Sequence, residues 1–173
     1  MDKGISTWLF SKLVMLIFLI LVFSSVLAIM NIISERAFAD SAGVIAINIK
    51  DAMQGVITTG ALSGQRVVPI PKRIPEDIQE TKSREYTVVI EKNSDAISIA
   101  VAWGSYGRKS DIKSYVSAAM LFVSPNLNIN LASPLVLNSS DFRFFVVNKT
   151  TVGGFPNVYV GGCRKTGLTD CTA

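Results

Sequence analysis

From Leu13 to Ile33 the chain is apolar except at Ser24, Ser25 and Asn31. No other feature restricts so strongly what this chain can fold into. As a helix rising about 1.5 Å per residue, the stretch crosses the ~30 Å hydrocarbon core of a bilayer. A cleaved secretory signal has a shorter apolar region, about 7–15 residues, followed by a small-x-small site. Ala37-Phe38-Ala39 has that form, but it follows Glu35 and Arg36, and the apolar run before it is too long. The expectation is a retained membrane segment. Lys3 and Lys12 precede it with only Asp2 nearby, whereas Arg36 beyond it has Glu35 and Asp40 as neighbours. This imbalance places the N-terminus in the cytoplasm and the rest of the chain outside, as a single span.

After Ile33 the helical period continues with a different composition. Phe38, Ala42, Ile45, Ile49, Met53 and Val56 recur at intervals of three or four, one face of an amphipathic helix. Polar residues such as Asp40, Asn48, Lys50, Asp51 and Gln54 occupy the other positions. No proline precedes Pro69, so one helix over residues 5–58 is expected, membrane-embedded over 13–33 and amphipathic over 34–57. Thr58, Thr59 and Gly60 end it, with Gly60 as the C-terminal stop. Periodicity leaves two roles open for this helix. It is a plain anchor with a juxtamembrane helix on its own domain, or its greasy half also serves a polymer while the other half docks a head.

From residue 65 to 173 the pattern is β. In Tyr86–Ile90, Tyr86, Val88 and Ile90 alternate with Thr87 and Val89. In Ala96–Trp103, Ile97, Ile99, Val101 and Trp103 share a face, and Ala96, Ser98, Ala100 and Ala102 share the other. Such alternation marks half-buried strands, and residues 91–95 read as the hairpin turn between them. The small face of the second strand is expected to receive the amphipathic helix. Further strand-like runs are Tyr115–Val123, Leu127–Leu131, Phe142–Val147 and Asn157–Val160. Residues 67–77 contain Pro69, Pro71 and Pro75, so an extended edge segment is expected. The fold class is therefore α+β: a long N-terminal helix packed on a mostly antiparallel sheet of roughly five to seven strands.

The residues for common chemistries are missing. There is no histidine, which excludes Ser-His-Asp and Cys-His catalysis and histidine-ligated metals. The acids Glu76, Asp77, Glu80, Glu85 and Glu91 lack the dense spacing of a calcium loop and read as a solvated surface. No catalytic residue, metal site or cofactor is expected, and the chain is read as a non-enzyme. The net charge of +4 is mild and its cations are scattered, which argues against nucleic acid. Cys163 and Cys171 lie outside the membrane by this topology, where their natural use is a disulfide. Asn138-Ser139-Ser140 and Asn148-Lys149-Thr150 are glycosylation sequons, a pattern that is also common by chance. The stretch from Trp103 to Gly107 reads as a strand end and turn with Trp103 in the core, or as an exposed aromatic loop.

A short leader of residues 1–4 ending Lys3-Gly4, a long apolar helix turning amphipathic, and then a β head: this arrangement resembles the archaeal type IV pilin-like proteins with a class III signal peptide. The proline-containing segment and the hairpin after it are also similar to that family. The resemblance implies a membrane peptidase that cuts between Gly4 and Ile5, and an apolar helix that becomes the core of a filament. It implies partners in membrane lipid, in a prepilin peptidase-type enzyme, and in copies of the chain or other pilins through the helix. It places the mature protein in the membrane or in a cell-surface filament, with a structural or adhesive role. Many pilins carry a glutamate at the fifth position after the cut, and this chain has Leu9 there. That departure favours a minor pilin, or a pilin-like membrane protein that never polymerises, over a major pilin. In outline the chain also resembles archaellum stator components, which implies the alternative of a single-pass anchored β domain that binds a surface partner and never polymerises.

Overall fold

The computed structural model describes residues 3–75, 84–124, 127–131, 133–164 and 171–172, with the backbone alone for residues 3–7 and 172. The chain divides into two compact units, residues 1–37 and 38–173. One helix, α1 (Lys3–Thr58), contributes to both, so its residues 38–58 belong to the β-rich unit.

The first unit is the apolar part of α1. Its large side chains from Trp8 to Ile33 are exposed all round the helix. A helix that is apolar on every side is stable in a bilayer or among other apolar helices, not in water. α1 is the one helix among the described residues long and apolar enough to cross a membrane.

In the second unit nine strands follow α1 among the described residues: β1 (Gly64–Pro69), β2 (Tyr86–Lys92), β3 (Ala96–Trp103), β4 (Ser117–Phe122), β5 (Asn128–Leu131), β6 (Leu135–Asn138), β7 (Phe144–Val152), β8 (Phe155–Cys163) and β9 (Cys171–Thr172). They form two sheets where one was expected. The first has the order β1-β7-β8-β5, with β9 also on β8, and the second has the order β4-β3-β2-β6. All pairings are antiparallel except β5 with β8. Alternation marks a strand but not its partner, and the neighbours of β1, β5 and β6 are all remote in sequence. β1 lies at a sheet edge and ends at Pro69, as its proline requires.

A single apolar core joins α1 to both sheets. Phe38, Ala42, Ile45, Ile49, Met53 and Val56 are all buried. They pack with Val88, Ile90, Ile97, Ile99 and Val101 of the second sheet and with Phe145, Val147, Val158 and Val160 of the first. Burial of a large side chain such as Phe38 or Ile49 contributes about 1.5–3 kcal/mol. The face of β3 that meets the helix is the large one, opposite to expectation. Trp103 lies on that face, and its ring centroid is 4.6 Å from that of Phe38. The physical reason is area, since the branched face of β3 has more apolar surface to remove from water than Ala96, Ser98 and Ala100. Leu137 of β6 packs tightly against β8 at Gly162, where an added Cβ would stand 2.3 Å from Leu137 Cδ2 and 2.8 Å from Phe142 Cδ1.

Candidate functional site

The candidate site is the exposed surface of residues 38–58 of α1 and the groove beside it. On residues 38–58 the face opposite the buried stripe carries Val44 and Ile47, which are 57% and 51% exposed. Next to them lies a groove of about 330 Å³, lined by Ser41, Val44, Ile45 and Asn48 of α1 and by Val68, Pro69, Pro71, Ile74 and Pro75. The segment after β1 forms its far wall because Ile70 and Ile74 are buried and pin Pro71 between them, with Pro69 and Pro75 at either side. Ile70 N–H donates to Arg143 O at 2.7 Å, and Ile74 exchanges backbone hydrogen bonds with Arg84.

The end of α1 is fastened to β7. The helix stops at Thr58, as expected, but Gly60 does not adopt the left-handed cap. Instead Lys149 Nζ, on a side chain that is almost fully buried, donates to Thr59 O at 2.6 Å. A cation at a helix C-terminus satisfies a free carbonyl and complements the helix dipole. Thr58 Oγ1 donates to Gln54 O, Thr59 Oγ1 to Gly55 O, and Thr151 Oγ1 to Leu62 O. Lys149 had no signal in the sequence beyond its place inside a sequon.

The other expected residues fall as follows. Gly4 and Ile5 lie in the first turns of α1, where the backbone alone is described. Cys163 and Cys171 are joined by a disulfide that ties β9 to β8. Asn138 is half-buried at the end of β6, and its Oδ1 accepts from Thr87 Oγ1 at 2.8 Å and from Tyr106 N–H at 2.9 Å. The sequon serine Ser139 is buried, its Oγ accepting from Tyr86 N–H. This first sequon is therefore built into the fold. Asn148 lies mid-strand in β7, opposite Gln65 of β1 and Tyr159 of β8.

Trp103 is half-buried under the Arg84 guanidinium, 3.9 Å from its ring centroid. Gly104 has φ +88°, a conformation glycine adopts without steric cost, and it turns the chain out of β3. The segment after it is tied to β2 through Thr87 and to Glu91 through Lys109. The hydrogen bond from Lys109 to Glu91 raises the Lys109 pKa above its ordinary value. Of the acids considered in the sequence, Glu91 makes this ion pair, and Glu76, Asp77 and Glu80 lie outside the described residues. No group of three or more metal-ligating side chains comes together among the described residues.

Comparison with known protein families, with curated proteins and with solved structures finds no match for this chain.

Proposed function

We propose that this chain is a pilin-like subunit of an archaeal type IV surface filament, with a structural or adhesive role and as a minor component. The observation that carries this reading is the distribution of exposed apolar residues along α1. In a plain anchor such residues end where the bilayer ends. Here Ser34, Glu35 and Arg36 mark that boundary, yet Val44 and Ile47 beyond it are exposed one turn apart, beside a groove of mixed polar and apolar lining. This is a surface for a further helix. Identical helices packed along such a surface satisfy their own backbones and are held by van der Waals contact.

Processing follows from this reading. The N-terminus starts in the cytoplasm, lipid surrounds the span before assembly, and a prepilin peptidase-type enzyme cuts between Gly4 and Ile5. Helices of other copies or other pilins then replace the lipid. Leu9 at the fifth mature position supports a minor rather than a major subunit. Cleavage after Ala39 fits poorly, because it removes Phe38 from the core it shares with Trp103. The role uses no catalytic group and no cofactor.

The test is the N-terminal residue and intact mass of the protein from its native membrane or cell surface. A start at Ile5 is expected. A start at Met1 would overturn processing and favour the non-polymerising anchor. A start at Asp40 would remove the span and sink both.

A further inference from the structure

The sheet β1-β7-β8-β5 has two faces. The inner one sends Phe145, Val147, Val158, Val160 and Ile129 into the core. On the outer one the register aligns Gln65, Asn148, Tyr159 and Asn130 in a row across four strands. Thr150, Asn157 and Asn128 form the next row. Neighbours within a row stand about 4.8 Å apart, and the rows about 6.8 Å apart. Asn128 Nδ2 donates to Asn157 Oδ1, and Asn157 Nδ2 to Phe155 O, so two of the amide planes are fixed. Tyr159 is 37% exposed in the middle of this face, and Phe155 is 75% exposed at its end.

Two properties set this face apart from an ordinary solvated strand surface. The first is charge. Arg66 and Lys149 are the only charged residues of these four strands, and both fall at inward positions of the alternation. The outer face carries none, in a chain with 17 basic and 13 acidic residues. Exposed sheets normally use charge to stay soluble and unpaired. The second is propensity. Asparagine is depleted in strands, yet Asn128, Asn130, Asn148 and Asn157 all lie in them. A local choice that works against the fold marks a position held for another reason.

We infer that this face binds a neutral polysaccharide. An amide carries two donors and an acceptor oxygen, part of which Asn128 and Asn157 spend on internal hydrogen bonds, and this mixed set suits the donor and acceptor hydroxyls of sugars. The Tyr159 ring gives a flat platform for the apolar C–H face of a hexose. A shallow, registered surface fits an extended polymer better than a small molecule, which needs a cavity. The lack of charge matches a neutral ligand and gives nothing to attract phosphates or uronates. This inference deepens the adhesive reading by naming what the head adheres to. It rests on that reading for its biological sense alone, since the face requires neither processing nor a filament.

The test uses the full chain, made in a host without N-glycosylation and held in a polyoxyethylene detergent, which has no sugar head group. It is run in native gels containing mannan, dextran or hydroxyethyl cellulose, with polygalacturonate as the acidic comparison. We expect retardation by at least one neutral polymer and none by polygalacturonate. Tyr159→Ala and Asn157→Asp should each weaken the retardation roughly tenfold, the scale of one lost hydrogen bond or stacking contact, with the melting temperature unchanged. Met120→Glu, on the other sheet, should leave it as it was. Failure of all three neutral polymers, or variants retarded like the parent, would overturn the proposal. So would a concentration-dependent dimer abolished by the same variants, because the occupant is then a second copy. A sugar mass on Asn148 in the native protein would make the occupant the chain's own glycan and overturn it as well. An N-terminus other than Ile5 leaves this result untouched, so the two readings fail separately.

Discussion

Gly162→Ala is the sharpest test of how the two sheets meet. The new methyl would lie 2.3 Å from Leu137 Cδ2 and 2.8 Å from Phe142 Cδ1, where ordinary contact begins near 3.4 Å. Leu137 is fully buried and Phe142 nearly so, which leaves little room for either to retreat. Overpacking of a filled core costs about 1–3 kcal/mol, and an overlap above 1 Å belongs at the upper end, about 3 kcal/mol. For a unit of this size that lowers the melting temperature by about 10 °C. Leu137→Ala alone costs about 2–5 kcal/mol through the cavity it leaves. In the double variant the methyl enters that cavity, so the loss should be close to that of Leu137→Ala alone, about 2 kcal/mol or more short of the sum. The assay is thermal unfolding of the full chain in detergent, followed by fluorescence. Trp8→Phe in the parent makes Trp103, packed on Phe38, the sole tryptophan reporter. A Gly162→Ala variant melting within about 2 °C of the parent would refute the close approach. So would a double variant that loses the full sum.

Lys149→Met keeps the buried stem but removes the donor to Thr59 O, so urea unfolding should show a loss of about 1.5–3 kcal/mol, the range for a hydrogen bond to a charged group. A variant as stable as the parent would mean that desolvation of the ammonium cancels its bond. Replacing Cys163 and Cys171 by serine opens a loop of sequence separation 8, which in the chain-entropy model costs about 2.5 kcal/mol. Unchanged unfolding on adding reductant to the parent would contradict that figure.

What could be read beforehand depended on how local the signal was. The stripe from Phe38 to Val56 was legible because one helix sets its own period, and all six of its residues are buried. β2 and β3 were legible because each alternates strictly and they pair through a short turn. β6 was not, since Leu135–Asn138 offers only four residues after Pro134. β7 and β8 were read too short. Gly153 and Gly154, both at positive φ between Val152 and Phe155, gave a usable hairpin signal that joins them. The division into two sheets and the fastening of α1 by Lys149 depend on residues far apart in the chain. Nothing local encodes them. The outer amide face needed the register of four strands before its rows existed at all.

The pairing of β1 with β7 also sets a timetable. A chain made from its N-terminus completes β2, β3 and β4 in succession, and these close on one another at once. β1 emerges before them but has no neighbour until Phe144–Val152 has been made, and β5 must wait for β8. Over that interval the helix stripe has only half of its eventual cover, and an apolar helix with an idle strand edge invites the wrong company. Such long-range closure is slow, because the connecting chain must first be gathered in. A nascent chain halted anywhere before β7 therefore cannot form any pair of its first sheet. The first sheet of the head is completed late, when β7 and β8 reach back to the strands made before them.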